Sequence, residues 1–177
     1  MSDSSSINPN TAVGYMALSR NTTGYYNNAI GVNALLNNTS GTYNIAIGHE
    51  SMNGSPNGST GTFGNYNVAI GNQTLYNMIT SSNNIAIGYQ ALFSTTQSNQ
   101  TAIGHQALRQ NTSGFQNTAV GFQSLYYNTT ANNNTAIGSG ALLGNATQMN
   151  GASNCAMGTL ALSSLTSGNY NLSLIHI

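Results

Sequence analysis

Asn117-Thr118-Ala119-Val120-Gly121-Phe122-Gln123-Ser124-Leu125 and Asn84-Ile85-Ala86-Ile87-Gly88-Tyr89-Gln90-Ala91-Leu92 are two copies of one phrase. The phrase is Asn-x-Ala-Ile/Val-Gly, then two variable residues, a small residue and Leu. It occurs nine times, with glycines at Gly14, Gly31, Gly48, Gly71, Gly88, Gly104, Gly121, Gly138 and Gly158. Successive glycines are 17, 17, 23, 17, 16, 17, 17 and 20 residues apart. A recurrence this short and strict marks a solenoid with one coil per repeat. A helical repeat needs about thirty residues or more, so each coil is built of β-structure. The fold expected is all-β: a parallel β-solenoid, of the β-roll or β-helix kind, with about nine coils of 17 residues.

Aligning the coils gives columns, and each column carries a physical demand. Asn opens the phrase as Asn10, Asn27, Asn44, Asn67, Asn84, Asn117, Asn134 and Asn154, with Gln100 in the remaining coil. Ala follows two residues later in all nine coils. Immediately before the glycine stand Val13, Ile30, Ile47, Ile70, Ile87, Ile103, Val120, Ile137 and Met157. Four residues after it come Leu18, Leu35, Met52, Leu75, Leu92, Leu108, Leu125, Leu142 and Leu162, each preceded by Ala, Ser or Thr. One strand is expected across Asn-x-Ala-Ile-Gly and a second short strand near the small residue and Leu. Stretches such as Asn21-Thr22-Thr23-Gly24 and Asn111-Thr112-Ser113-Gly114 supply turns. Coils stacked about 4.8 Å apart make a rod of roughly 40 Å.

Neighbouring strand residues point to opposite faces. Ala and Ile/Val are neighbours in every coil, so one lines the interior and the other forms a continuous outer stripe. A soluble monomer rarely leaves such a stripe bare. Lateral association is therefore expected, most simply three chains around an axis. The asparagines are expected to hydrogen-bond from coil to coil as a ladder, which a charged side chain facing its own copies could not do.

Only Asp3, Arg20, Glu50 and Arg109 among 177 residues are formally charged, and lysine is absent. Without a basic patch to neutralise phosphates, nucleic-acid binding and attraction to an anionic membrane are excluded by the usual electrostatic route. No run approaches the roughly 18 apolar residues of a membrane span, so insertion is not expected. Two carboxylates in unrelated places make no acid–base pair. His49 and His105 lie three coils apart, too far for joint metal coordination. No enzyme activity, cofactor or metal is expected. Cys155, alone, reads as a small packed residue between Asn154 and Ala156.

Residues 1–9 read as a flexible leader, 10–171 as the solenoid, and 172–177 as a non-native tail. Leu172-Ser173-Leu174-Ile175-His176-Ile177 resembles the translation of a transposon end used in sequencing libraries, so a ragged structure is expected after Asn171. Extra residues within Asn53 to Tyr66 and Gly144 to Ser153 are expected to bulge from one corner. Asn-x-Ser/Thr sequons occur at Asn21, Asn38, Asn57, Asn111, Asn128 and Asn145. Tyr15, Tyr25, Tyr26, Tyr89, Tyr126 and Tyr127 suit edge packing or, in the second instance, a sugar-binding surface.

With these columns in place, the two quoted phrases and the Asn-Thr-Ser/Thr-Gly turns between them resemble the repeats of trimeric phage tail-fibre and bacterial surface proteins that end in an endosialidase-type chaperone. They are also similar, with about three added residues per coil, to the head repeats of trimeric autotransporter adhesins. The resemblance covers Asn10 to Asn171. It implies a left-handed β-roll assembled as a homotrimer, acting as a structural rod of an extracellular, cell-surface or virion fibre. The partner implied is a host-surface glycan or protein receptor. Two other readings stay open: an ice- or glycan-binding solenoid, and a subunit of an end-to-end self-assembling fibre. The slot after Asn is irregular (Thr11, Asn28, Ile45, Val68, Ile85, Thr101, Thr118, Thr135, Cys155), which disfavours an ice-binding row.

Overall fold

A computed structural model describes residues 8–54, 63–145 and 149–175. Ten three-residue strands, one per coil, form a single parallel sheet in sequence order. They are β1 (Thr11–Val13), β2 (Asn28–Ile30), β3 (Ile45–Ile47), β4 (Val68–Ile70), β5 (Ile85–Ile87), β6 (Thr101–Ile103), β7 (Thr118–Val120), β8 (Thr135–Ile137), β9 (Cys155–Met157) and β10 (Leu172–Leu174). Like residues lie on like residues: Ala46 pairs with Ala69, and Ile47 with Ile70. The chain is therefore a β-solenoid of about nine turns.

The alanine column faces inward. Ala29, Ala46, Ala69, Ala86, Ala102, Ala119, Ala136 and Ala156 are fully buried, together with Leu35, Met52, Leu75, Leu92, Leu108, Leu125 and Leu142. The interior is a thin seam of small residues against leucines. Small and large apolar columns interlock across it, as close packing requires.

The second strand expected near Leu does not form. That segment is a run of turns, and the leucine column has positive φ, from 47° at Leu142 to 54° at Leu18. The segment still bonds from coil to coil, since the Leu35 N–H donates to Ser51 O (3.0 Å) and Leu75 to Ala91 O (3.1 Å). Its backbone is left-handed where a strand would be extended. Two further positions per coil share this conformation: the second residue after the glycine and the residue before Asn, as at Gln90 (53°) and Tyr43 (57°). Together they give 26 non-glycine residues at positive φ among the described residues. Each costs of order 1 kcal/mol or more, so they persist only because stacked neighbours on both sides fix them. The glycine column is more constrained still. Gly88 has φ of 120°, and a Cβ added there would sit 2.6 Å from Gly104 O.

The asparagine ladder forms, by way of the backbone. Each Asn Oδ1 accepts the backbone N–H of the Asn one coil on: Asn27 to Asn10 (2.8 Å), Asn44 to Asn27 (3.0 Å), Asn84 to Asn67 (3.0 Å) and Asn134 to Asn117 (3.0 Å). Except at Asn84, the Nδ2 donates within its own coil to the carbonyl that closes the last turn, as Asn27 to Gly41 O (2.7 Å) and Asn117 to Ala131 O (2.9 Å). Gln100 does the same with one more methylene: it donates to Gly114 O and accepts from Asn117 N–H. In the 16-residue coil that Asn84 opens, the closing turn is one residue short, and Asn84 Nδ2 is buried without a partner.

Of the stretches expected to bulge, Asn53 to Tyr66 and Gly144 to Ser153, residues 55–62 and 146–148 lie outside the described residues. On either side of them register holds between β3 and β4 and between β8 and β9. The residues that return from the insertions close the core, with Phe63 and Met149 buried. The raggedness expected after Asn171 is corrected by β10, which pairs with β9. Ser173 is small enough for the alanine column, while Leu172 and Leu174 take the two outward ones. Ile175 falls in the glycine column and still donates its N–H to Met157 O (2.9 Å).

Two predictions follow from these columns. Asn117→Ala leaves the Asn134 N–H without its partner and the Ala131 carbonyl with Asn128 Nδ2 alone, and should cost about 1–3 kcal/mol, whereas Asn117→Gln should be far milder; urea titration followed by circular dichroism reads both. Leu92→Ile places a β-branched side chain at φ of 51°. It should lower the melting temperature more than Leu92→Met, although both swaps conserve volume; the reverse order would contradict the left-handed backbone.

Candidate functional surface

Strand alternation turns two columns outward: the residue after Asn and the residue before Gly. The second holds Val13, Ile30, Ile47, Ile70, Ile87, Ile103, Val120, Ile137, Met157 and Leu174, of which Ile30, Ile47, Ile70, Ile103 and Ile137 remain 36–39% exposed. The first is irregular in polarity and more uniform in shape. Thr11, Ile45, Val68, Ile85, Thr101, Thr118 and Thr135 all branch at Cβ. Such side chains hold few rotamers, so the face is a stiff array of methyl groups repeating with the coils.

None of the 20 outward positions on this face carries a charge. Arg20, Arg109 and Glu50 project from other sides of the coil, and both insertions leave after the leucine column. With coils about 4.8 Å apart and columns roughly 7 Å apart, the face covers on the order of 500 Å². That is near the upper limit of what monomers leave bare, about 300–600 Å².

The other sides carry ladders that the sequence reading missed. Gln123 Nε2 donates to Gln106 Oε1 (2.9 Å), Gln106 to Gln90 (3.2 Å), Gln90 to Gln73 (2.9 Å) and Gln73 to Glu50 Oε2 (2.8 Å). Tyr76 and Phe93 stack at 5.1 Å and 2°. The next rung is Arg109, whose guanidinium lies 5.3 Å from the Phe93 centroid, donates from Nε to Gln90 Oε1 (2.8 Å) and from Nη1 to Tyr126 Oη (3.2 Å). The regular spacing of Gln at the second position after glycine was the available signal.

The candidate chemistry disperses. His105 lies between Tyr89 (5.1 Å) and Phe122 (5.3 Å), while His49 neighbours Glu50 at 3.8 Å. No group of three metal-ligating side chains exists among the described residues. Cys155 is half-buried on the outward face. Asn38, Asn111 and Asn128 are buried with Nδ2 already donating to Gly41 O, Gly114 O and Ala131 O, so the folded chain offers no glycan acceptor there; Asn57 lies outside the described residues.

Tyr26, Tyr43 and Tyr66 stack along the axis at 5.0 Å per step, with Tyr25 edge-on to the first two. The stacked tyrosines cover one another's faces, which removes the flat row that a chain of sugars would need. Desolvation, then the charges that Tyr25, Tyr26 and Tyr66 would carry, push the Tyr43 phenol above its ordinary value. Desolvation and then Glu50 do the same for Tyr76.

A raised folded value means that the neutral phenol is the better-bound form. The associated stability is complete below the ordinary tyrosine value of about 10 and is lost as pH rises through the higher folded one. Absorbance titration should accordingly find Tyr43 ionising late, with Tyr43→Phe removing one late-titrating group; a titration with no late group would contradict the stack. No protein family matches the chain in sequence, and neither a curated protein nor a solved structure is significantly similar to it.

Proposed function

We propose that the chain is a non-catalytic structural rod, the repeat region of an extracellular fibre such as a bacterial surface adhesin or a phage tail fibre. It works as a homo-oligomer, with three copies around an axis, and serves display or attachment to a host-surface glycan or protein. The observation that carries this reading is the uncharged, methyl-rich face running through all ten rungs. A face that repeats with the coils is self-complementary for parallel copies, because each rung meets a like rung. Standard interfaces bury about 800 Å² per partner. One face alone falls short of that, whereas a three-chain arrangement lets each chain contact two others.

The remaining surface suits a rod more than a catalyst. Its polar groups are spent on one another in ladders, and its carboxylate at Glu50 is held by Gln73. The likeness of the Asn-x-Ala-Ile-Gly phrase to trimeric fibre repeats supports the same assignment.

Light scattering tests it. A molar mass three times that of the chain is expected, with Ile87→Lys plus Ile103→Lys shifting it to one while circular dichroism stays unchanged. A wild-type monomer at high concentration would sink the assembly, and a mass growing without limit would instead identify an end-to-end fibre.

A further inference from the structure

The methyl face repeats with every coil, so two copies laid against each other fit nearly as well when one slides along the other by a whole coil. Copies that slip by one coil at each contact climb into an open helix and never close around an axis. A closed assembly therefore needs a second feature to hold its rungs level. Two columns border the face: the residue before Asn on one side and the residue after Gly on the other. Among the rungs of β1 to β9, every residue of both columns except Ser153 is exposed.

The large rings of the two borders avoid one another. The column before Asn carries Tyr26, Tyr43 and Tyr66 on the rungs of β2, β3 and β4, then Asn or Gln on those of β5 to β8. The column after Gly carries Tyr15 on the β1 rung, Val32, His49 and Asn72 on those of β2 to β4, then Tyr89 and Phe122 on those of β5 and β7. No rung from β1 to β9 has a Tyr or Phe on both borders, and Tyr43 with the smaller His49 is the one rung with two aromatic side chains. Within one chain the width of the face separates the borders, so the packing of a single rod does not link their sizes.

We propose that these borders are the seam between neighbouring copies of the chain, and that their rings set the copies level with one another. In parallel copies around an axis with the methyl face inward, the column before Asn of one copy meets the column after Gly of the next. With rungs level, each large ring meets a smaller side chain: Tyr26 meets Val32, Tyr66 meets Asn72, Asn83 meets Tyr89 and Gln116 meets Phe122. A slip of one coil in one direction sets Tyr66 on Tyr89, and in the other sets Tyr26 on Tyr15. Crowding thus penalises both slips, which is how a contact gains specificity against its alternatives. The seam also supplies area. Tyr26, Tyr43, Tyr66, Tyr89 and Phe122 are 42–59% exposed, and burying them adds to a face that alone falls short of the roughly 800 Å² per partner of a standard interface. The proposal rests on the assembly part of the function above, to which it adds the contact that fixes register.

Cross-linking between copies tests it in a Cys155→Ser background, which removes the chain's own thiol. Asn133→Cys with Ser139→Cys puts thiols on both borders of the β8 rung, whereas Asn133→Cys with Thr159→Cys sets them one rung apart; neither pair replaces a ring. A disulfide needs Cα atoms within about 7 Å, so under mild oxidation the level pair should give a closed covalent trimer faster than the offset pair. In a second measurement Asn72→Tyr puts tyrosines on both borders of the β4 rung. Asn72 is exposed and shares only a 3.4 Å contact with His49, so circular dichroism should not change. The concentration at which the trimer half-dissociates should rise about 10-fold, and adding Tyr66→Asn should restore it. Three results overturn the seam and leave the assembly standing: an offset pair that links as fast as the level one, a trimer in which neither pair links, and an Asn72→Tyr trimer as stable as the wild type. A monomer by light scattering overturns the assembly and the seam with it.

Discussion

Everything in this rod depends on one double-sided bond, the buried side-chain amide at the head of each coil. Through Nδ2 the amide closes its own coil by holding a carbonyl 14 residues on, as Asn27 holds Gly41 and Asn117 holds Ala131. Through Oδ1 it receives the next coil's backbone N–H. Closure and stacking are thus set by the same group, and no carboxylate could replace it, because a carboxylate lacks the donor. The near-absence of charge has the same origin. In a structure where every residue sits above and below its own kind, an ionised side chain meets its copy about 4.8 Å away.

The architecture was legible because a solenoid writes its period directly into the chain. The 17-residue interval and the opposite facing of Ala and Ile follow from repetition and strand alternation, and β3 on β4 realises the register residue for residue; that Ala is the inward one shows only in the burial of its column. The leucine segment was misread because an apolar residue beside a small one suits either a strand or a turn. The distinguishing mark lay in which apolar residues occur. The column before glycine is mostly Ile and Val, whereas the leucine column holds only Leu and Met, and branching at Cβ is what a left-handed backbone rejects. The β10 rung shows the converse: a sequence without Ala or Gly still seats itself when small and large residues alternate suitably.

Of the candidate surface, the methyl face could be read from the strand alternation, since a column's outward direction follows from its neighbour's inward one. The glutamine ladder left a signal in the spacing of Gln73, Gln90, Gln106 and Gln123, whereas the Arg109 rung between Phe93 and Tyr126 left none. That rung depends on a side chain reaching across coils, and the shift from Tyr76 to Phe93 to Arg109 keeps no residue type constant. Columns can be conserved in shape or in stacking while their letters change. Position 28 is the reverse case, a letter out of keeping with a column that is otherwise regular.

The hydrogen bonds between coils also determine how such a rod answers force. They run along its long axis, so a pull on the two ends loads the coils in series, and the weakest terminal coil yields first. Each coil that peels away converts about 5 Å of rod into roughly 55–60 Å of extended chain. A rod built this way lengthens about tenfold, step by step, and holds the tension along it near the force that peels one coil until every coil is spent.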